Sequence, residues 1–145
     1  MKREQRLRPL HELVGQSERN HALQLADCER RIAAGEQRYQ ELIRYRLEYE
    51  QLFHARASHG AAMRGLREQQ VFIARLGEAV RAQRTLLEQL RAEGAQLRAQ
   101  WRSAATRKQA VGKVIEHARS EEFMNQEKRQ QRELDELSTQ PRMRR

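Results

Sequence analysis

The stretch that decides the fold is Leu66–Ala118, LREQQVFIARLGEAVRAQRTLLEQLRAEGAQLRAQWRSAATRKQAVGKVIEHA. Alternate steps of three and four residues visit Leu66, Gln69, Ile73, Leu76, Val80, Gln83, Leu87, Leu90, Gly94, Leu97, Trp101, Ala104, Lys108, Val111, Ile115 and Ala118. Twelve of these sixteen positions are apolar, and the residues between them are mostly charged or amide side chains. A seam that recurs every 3.5 residues winds helices around one another with a left-handed supercoil. It cannot serve a sheet, whose period is two. The polar interruptions weaken the seam and help to fix its register.

Upstream, the same stepping gives Leu25, Cys28, Ile32, Gly35, Tyr39, Leu42, Arg46, Tyr49 and Phe53, broken only by Gly35 and Arg46. The two seams are out of phase, because sevens counted from Phe53 reach Gly60 and then miss Leu66 by one residue. Between them stands Ala57-Ser58-His59-Gly60-Ala61. Glycine favours helix termination and serine favours caps. One continuous helix with a phase skip is the alternative, but it would leave a long apolar seam in water, whereas folding back buries it. The expectation is an all-α, elongated, two-helix antiparallel coiled-coil hairpin whose second helix is longer. Its parts span arm one at residues 10–56, a turn at 57–61, arm two at 62–138 and a basic tail at 139–145 of a single domain, 1–145.

Composition agrees. Of 145 residues, 38% are hydrophobic and 34% charged, with a mean hydropathy of −1.01. That is too little apolar surface for a globule, so a narrow helical seam or disorder is the choice. The two prolines, Pro9 and Pro141, stand near the ends, and Arg, Gln, Glu, Ala and Leu favour helix between them. At 1.5 Å per residue the arms would measure about 70 and 115 Å. The first would cover the second to about Lys108 or Glu116, and Arg119–Leu137 would run on as a solitary polar helix. It would be helped by Arg129/Glu133 and Arg132/Glu136 pairs four apart. A short turn makes antiparallel partners sum to 122, with 115 as the alternative. The first register pairs Tyr49 with Ile73, Leu42 with Val80, Gly35 with Leu87, Cys28 with Gly94 and His21 with Trp101.

The net charge of +9 raises nucleic acid or a membrane surface as partners. The 20 acids are interspersed with the 29 bases, however, as on a solvated helix face. The dense basic region that a DNA-binding zipper needs is represented only by the short Met1–Arg8 block. A single cysteine, Cys28, excludes an internal disulfide and suits a reducing compartment. No stretch reaches membrane-spanning length, and the N-terminus lacks a signal-peptide core, so a cytoplasmic protein is expected.

Catalytic chemistry finds no foothold. The glycines are scattered singly, so there is no phosphate loop. His11, His21, His54, His59 and His117 lack metal-ligand spacing, so no metal site and no cofactor are expected. Cys28 reads as a small seam hydrophobe. Trp101 reads as a packing anchor. The seam set is Leu25, Cys28, Ile32, Tyr39, Phe53, Ile73, Val80, Leu87, Leu90, Leu97, Trp101 and Val111.

One feature exceeds what a hairpin needs. Beside the seam, arm one carries Tyr45 and Leu52, and arm two carries Phe72, Ala79 and Leu86. With Leu42, Tyr49 and Leu76 they make an apolar, aromatic edge near the turn. A wide core stripe is the plainer reading. Two helices cannot cover such a stripe, which favours a docking surface.

Taken together, the length, the phase break at Ser58–Gly60, the run Gln70-Val71-Phe72-Ile73-Ala74-Arg75-Leu76, the aromatic edge and the polar tail ending Glu133-Leu134-Asp135-Glu136 resemble the FliJ family of flagellar type III export proteins. The resemblance spans nearly the whole chain. It implies an antiparallel coiled coil similar to the central stalk of rotary ATP synthases, with no enzymatic activity. Its two termini would enter the hexameric ring of the export ATPase, and other surfaces would contact the export gate at the cytoplasmic face of the inner membrane and the export chaperones. The implied gate patch is Leu42, Tyr45, Tyr49, Phe72, Leu76, Ala79 and Gln83, and Arg38 stands where the family often has a smaller polar residue. The free chain is expected to be a monomer without a small-molecule substrate. The related injectisome stalk protein and a basic nucleic-acid-binding coiled coil are the alternatives.

Overall fold

The computed structural model describes residues 2–139. They form two α-helices, α1 (Arg3–Ser58) and the longer α2 (Met63–Thr139), with no strand among the described residues. The helices pack against each other in antiparallel sense, and their contacts divide the chain into two units. One is His21–Gln100, which contains the turn; the other joins Met1–Asn20 to Trp101–Arg145.

In the His21–Gln100 unit the chain reverses over four residues, 59–62. Gly60 has φ +74°, a left-handed conformation that a Cβ disfavours. The Ala61 N–H donates to Arg56 O at 3.1 Å, and the Gly60 N–H to Ala57 O at 3.4 Å. These two bonds make a Schellman cap, which satisfies carbonyls left free at the end of α1. Ser58 serves α1 as well: its hydroxyl donates back to His54 O at 2.8 Å. It does not cap α2, which starts at Met63 without an acidic residue in its first turn.

Beyond the turn, side chains of the seam interdigitate. Cys28 is fully buried, and Leu42, Leu87 and Leu90 nearly so. Leu25, Ile32, Tyr39, Phe53, Ile73, Val80 and Leu97 are half-buried, as a two-helix seam dictates. Partners follow the register that sums to 122. A methyl group added at Gly35 would stand 2.9 Å from Leu87 Cδ2, and one added at Gly94 would stand 3.6 Å from Cys28 Sγ. These glycines therefore sit where the helices come closest. The polar seam residues find separate solutions. Gln83 Nε2 donates to Gly35 O at 3.1 Å. The Arg46 guanidinium lies over Gly77 and pairs with Glu50 at 3.0 Å. Gln69 Oε1 is buried with no hydrogen-bond partner. Outside the seam, Arg91–Glu36, Arg98–Glu29 and Arg31–Glu93 pair across the helices at 2.7, 3.1 and 3.5 Å.

The Met1–Asn20 and Trp101–Arg145 unit differs from the expectation in one respect. Helix α1 begins at Arg3, not at residue 10, and carries Pro9 inside. Pro9 stands in the second turn, where it forgoes one hydrogen bond to Gln5 O and its ring crowds that carbonyl. The extra turns let α1 reach farther along α2. Arg119 donates to Glu4 at 2.6 Å, Lys2 meets Glu122 at 3.2 Å, and Arg3 meets Glu121 at 3.9 Å. Cover thus extends to about Glu122 instead of stopping near Lys108 or Glu116, and Arg119 belongs to the covered part. From residue 123 to 139 every residue is exposed. The basic tail placed at 139–145 lies outside the described residues except for Thr139, the last residue of α2.

Candidate docking surface

Near the turn of the His21–Gln100 unit, one flank of α1 and one flank of α2 present apolar side chains that the hairpin does not cover. Tyr49 and Phe72 meet edge to face, with ring centroids 4.7 Å apart and planes at 67°. Such pairing is favoured by the ring quadrupoles and adds about 0.5–1.5 kcal/mol beyond area burial. Both rings remain open to solvent, at 36% and 42% exposure. Tyr45, Leu52 and Leu86 are exposed to a similar degree. Leu42 is buried, while Leu76 and Ala79 are half-buried.

The structure therefore brings Leu42, Tyr45, Tyr49, Phe72, Leu76 and Ala79 into the same unit on facing helices. Gln83 differs in character. Its amide N–H is committed to Gly35 O, so it braces the helix crossing and has less to offer a partner. Exposed aliphatic side chains also appear at Ile43, Leu47 and Val71, positions that sequence periodicity did not single out. They lie off the seam, and only the finished surface reveals their exposure.

In the terminal unit, Trp101 is half-buried, and its indole Nε1 donates to Glu18 Oε1 at 3.0 Å. Glu18 also meets Lys108 at 3.7 Å, so one carboxylate serves both the indole N–H and the polar interruption of the seam at Lys108. Val111 is half-buried, and Ala104 and Ala118 are buried. Glu18 carried no signal in the sequence, since an acid on a helix rich in charge looks like a solvated one.

No group of three or more His, Cys, Asp or Glu side chains among the described residues could hold a metal ion. No helix among them is long and apolar enough to cross a membrane. Cys28 is a buried free thiol whose Sγ lies 3.5 Å from Leu90 O, a weak donor contact within the seam.

Comparison with curated proteins and with solved structures returned no match. A protein-family model described as "Flagellar FliJ protein" matches residues 1–145. Over its whole length, then, this chain belongs to the flagellar FliJ protein family.

Proposed function

We propose that the protein is a non-enzymatic stalk and adaptor of the flagellar type III export apparatus. In this reading the terminal unit enters the ring of the export ATPase, while the aromatic strip of the hairpin docks on the export gate at the cytoplasmic face of the membrane. Export chaperones are further partners. The observation that carries the docking half is the exposed, edge-to-face Tyr49–Phe72 pair. A hairpin of two helices gains little by leaving three aromatic rings in water, and such residues at the centre of a contact dominate binding. Family membership supports the placement in flagellar export. The exposed polar end of α2, from residue 123 on, supports a role in contact with a partner, because it adds no buried surface to the hairpin.

The test is a pair of substitutions, Tyr45→Ala and Phe72→Ala, assayed for gate binding, flagellar export and stimulation of the ATPase. Loss of an anchoring ring typically costs on the order of 2 kcal/mol, more than tenfold in affinity. Gate binding and export are expected to fall by that order. Circular dichroism of the free protein and ATPase stimulation are expected to hold. Unfolding of both variants would make the strip part of the core; unchanged gate binding and export would remove the docking assignment.

A further inference from the structure

The tip of the hairpin has a charge pattern that neither the seam nor the aromatic strip accounts for. From Gln51 to Gln70 the chain carries Arg56, Arg64 and Arg67, with His54 and His59, against one acid, Glu68. All three arginines are exposed, and none forms an ion pair among the described residues. Farther from the turn in the same unit pairing is mixed: Arg30, Arg31, Arg46, Arg84, Arg91 and Arg98 each meet a carboxylate, whereas Arg38, Arg44, Arg75 and Arg81 do not.

Arg56 suits the end of α1, where the helix dipole favours a cation. Arg64 does not suit its place. It lies in the first turn of α2, where the dipole repels positive charge, and no acid in that turn offsets it. Helix stability would select the opposite sign there. Between these arginines stands Met63, 69% exposed, flanked by exposed Ala57, Ala61 and Ala62. The tip thus combines unpaired guanidinium groups with a protruding apolar residue.

We propose that the hairpin tip is a contact surface for an anionic phospholipid bilayer, with Arg56, Arg64 and Arg67 at the headgroups and Met63 at their apolar boundary. The charge complementarity of the arginines selects the anionic surface, and small apolar side chains among basic ones suit the headgroup layer. An acidic protein groove would be the competing occupant. The proposal needs only the composition and exposure of the tip, and stands or falls separately from gate docking. Contact is weak and reversible, since each arginine near an anionic surface contributes about fivefold in partitioning.

The experiment is flotation of the full-length protein with phosphatidylcholine vesicles with or without phosphatidylglycerol, over a range of salt. Two triple variants with equal charge change are compared. One is Arg56→Gln/Arg64→Gln/Arg67→Gln. The other is Arg44→Gln/Arg81→Gln/Arg102→Gln, at exposed positions away from the tip. Binding is expected only with phosphatidylglycerol and is expected to weaken as salt rises. The tip triple should lose on the order of a hundredfold in partitioning, the control triple less than about fivefold. Met63→Gln should reduce binding with all arginines retained. Equal losses in the two triples would reduce the effect to net charge and overturn the proposal. So would equal binding to uncharged vesicles. Tip-dependent binding to polyglutamate without binding to vesicles would overturn it in favour of an acidic protein partner.

Discussion

The His21–Gln100 unit and the unit joining Met1–Asn20 to Trp101–Arg145 use the same two helices and hold them together by different physics. In the first, Cys28, Leu42, Leu87 and Leu90 are buried, and Gly35 and Gly94 let the helices approach. In the second, the buried hydrophobic side chains are those of Ala104 and Ala118, and much of the contact is polar: Trp101 to Glu18, Lys108 to Glu18, Arg119 to Glu4, Lys2 to Glu122. Apolar burial is not weakened by charge screening. Partly exposed ion pairs are weak singly and screened. Contact thus grades from a hydrophobic lock around Cys28, Leu42, Leu87 and Leu90 to a polar clasp near the termini, and stability should follow that gradient.

The sharpest test truncates one side chain of the lock. Leu87→Ala removes a side chain only 3% exposed, packed over Gly35. A buried Leu→Ala change costs about 2–5 kcal/mol. A two-helix seam can partly collapse around the gap, so the lower end, about 2–3 kcal/mol, is expected in urea unfolding. A loss below about 1 kcal/mol would mean that the lock is no stronger than the clasp.

The counterpart in the clasp is Glu18→Ala. It deprives the indole N–H of its acceptor and Lys108 of its partner at one stroke. Leaving a half-buried donor unmet costs about 1–2 kcal/mol, and the ion pair adds only tenths because it is long, at 3.7 Å, and Lys108 keeps part of its contact with water. The expected loss is therefore about half that of Leu87→Ala. Trp101 fluorescence should shift to the red as well, since it is the only tryptophan. A larger loss than for Leu87→Ala would invert the comparison.

How much of this was written in the sequence follows the same gradient. The hairpin, the longer second helix and the pairs Gly35/Leu87 and Cys28/Gly94 were legible because a 3.5-residue apolar period leaves few other arrangements. The meeting of Tyr49 and Phe72 was legible once the chain folds back at Gly60. The start of α1 was misread. Pro9 argues for a boundary on propensity alone, but the turn before it is held by ion pairs to Glu121, Glu122 and Arg119, residues more than a hundred positions away. Charged contacts between distant residues leave no period to read. For the same reason Glu18 and the Gln83–Gly35 bond were invisible.

The turn offers a smaller effect with opposite signs at two nearby glycines. Gly60→Ala forces a Cβ into a left-handed conformation and should cost about 1 kcal/mol. Gly65 lies in the first turns of α2 with nothing within 4 Å of an added methyl. Gly65→Ala should stabilise by about 0.5–1 kcal/mol, through helix propensity and a less flexible unfolded chain. If both changes destabilise, the turn is packed more tightly than its open surroundings imply.

The smallest expected effect separates the two units most cleanly. Glu4→Gln removes the negative charge that Arg119 meets at 2.6 Å, leaving an amide oxygen that can accept only a weaker, neutral hydrogen bond, while keeping the side chain's shape. Arg119 is mostly solvated, so global stability should fall by only a few tenths of a kcal/mol. Local opening is a finer gauge than global unfolding, because helix ends open in small steps independent of the lock. Amide exchange across residues 3–15 should speed up severalfold in Glu4→Gln, and to a similar degree in the wild-type protein when salt is raised to screen the pairs. Exchange at the lock, around Cys28 and Leu87, should respond to neither. Salt-sensitive exchange at Cys28 and Leu87 would mean that the clasp and the lock open together, and the gradient along the seam would disappear.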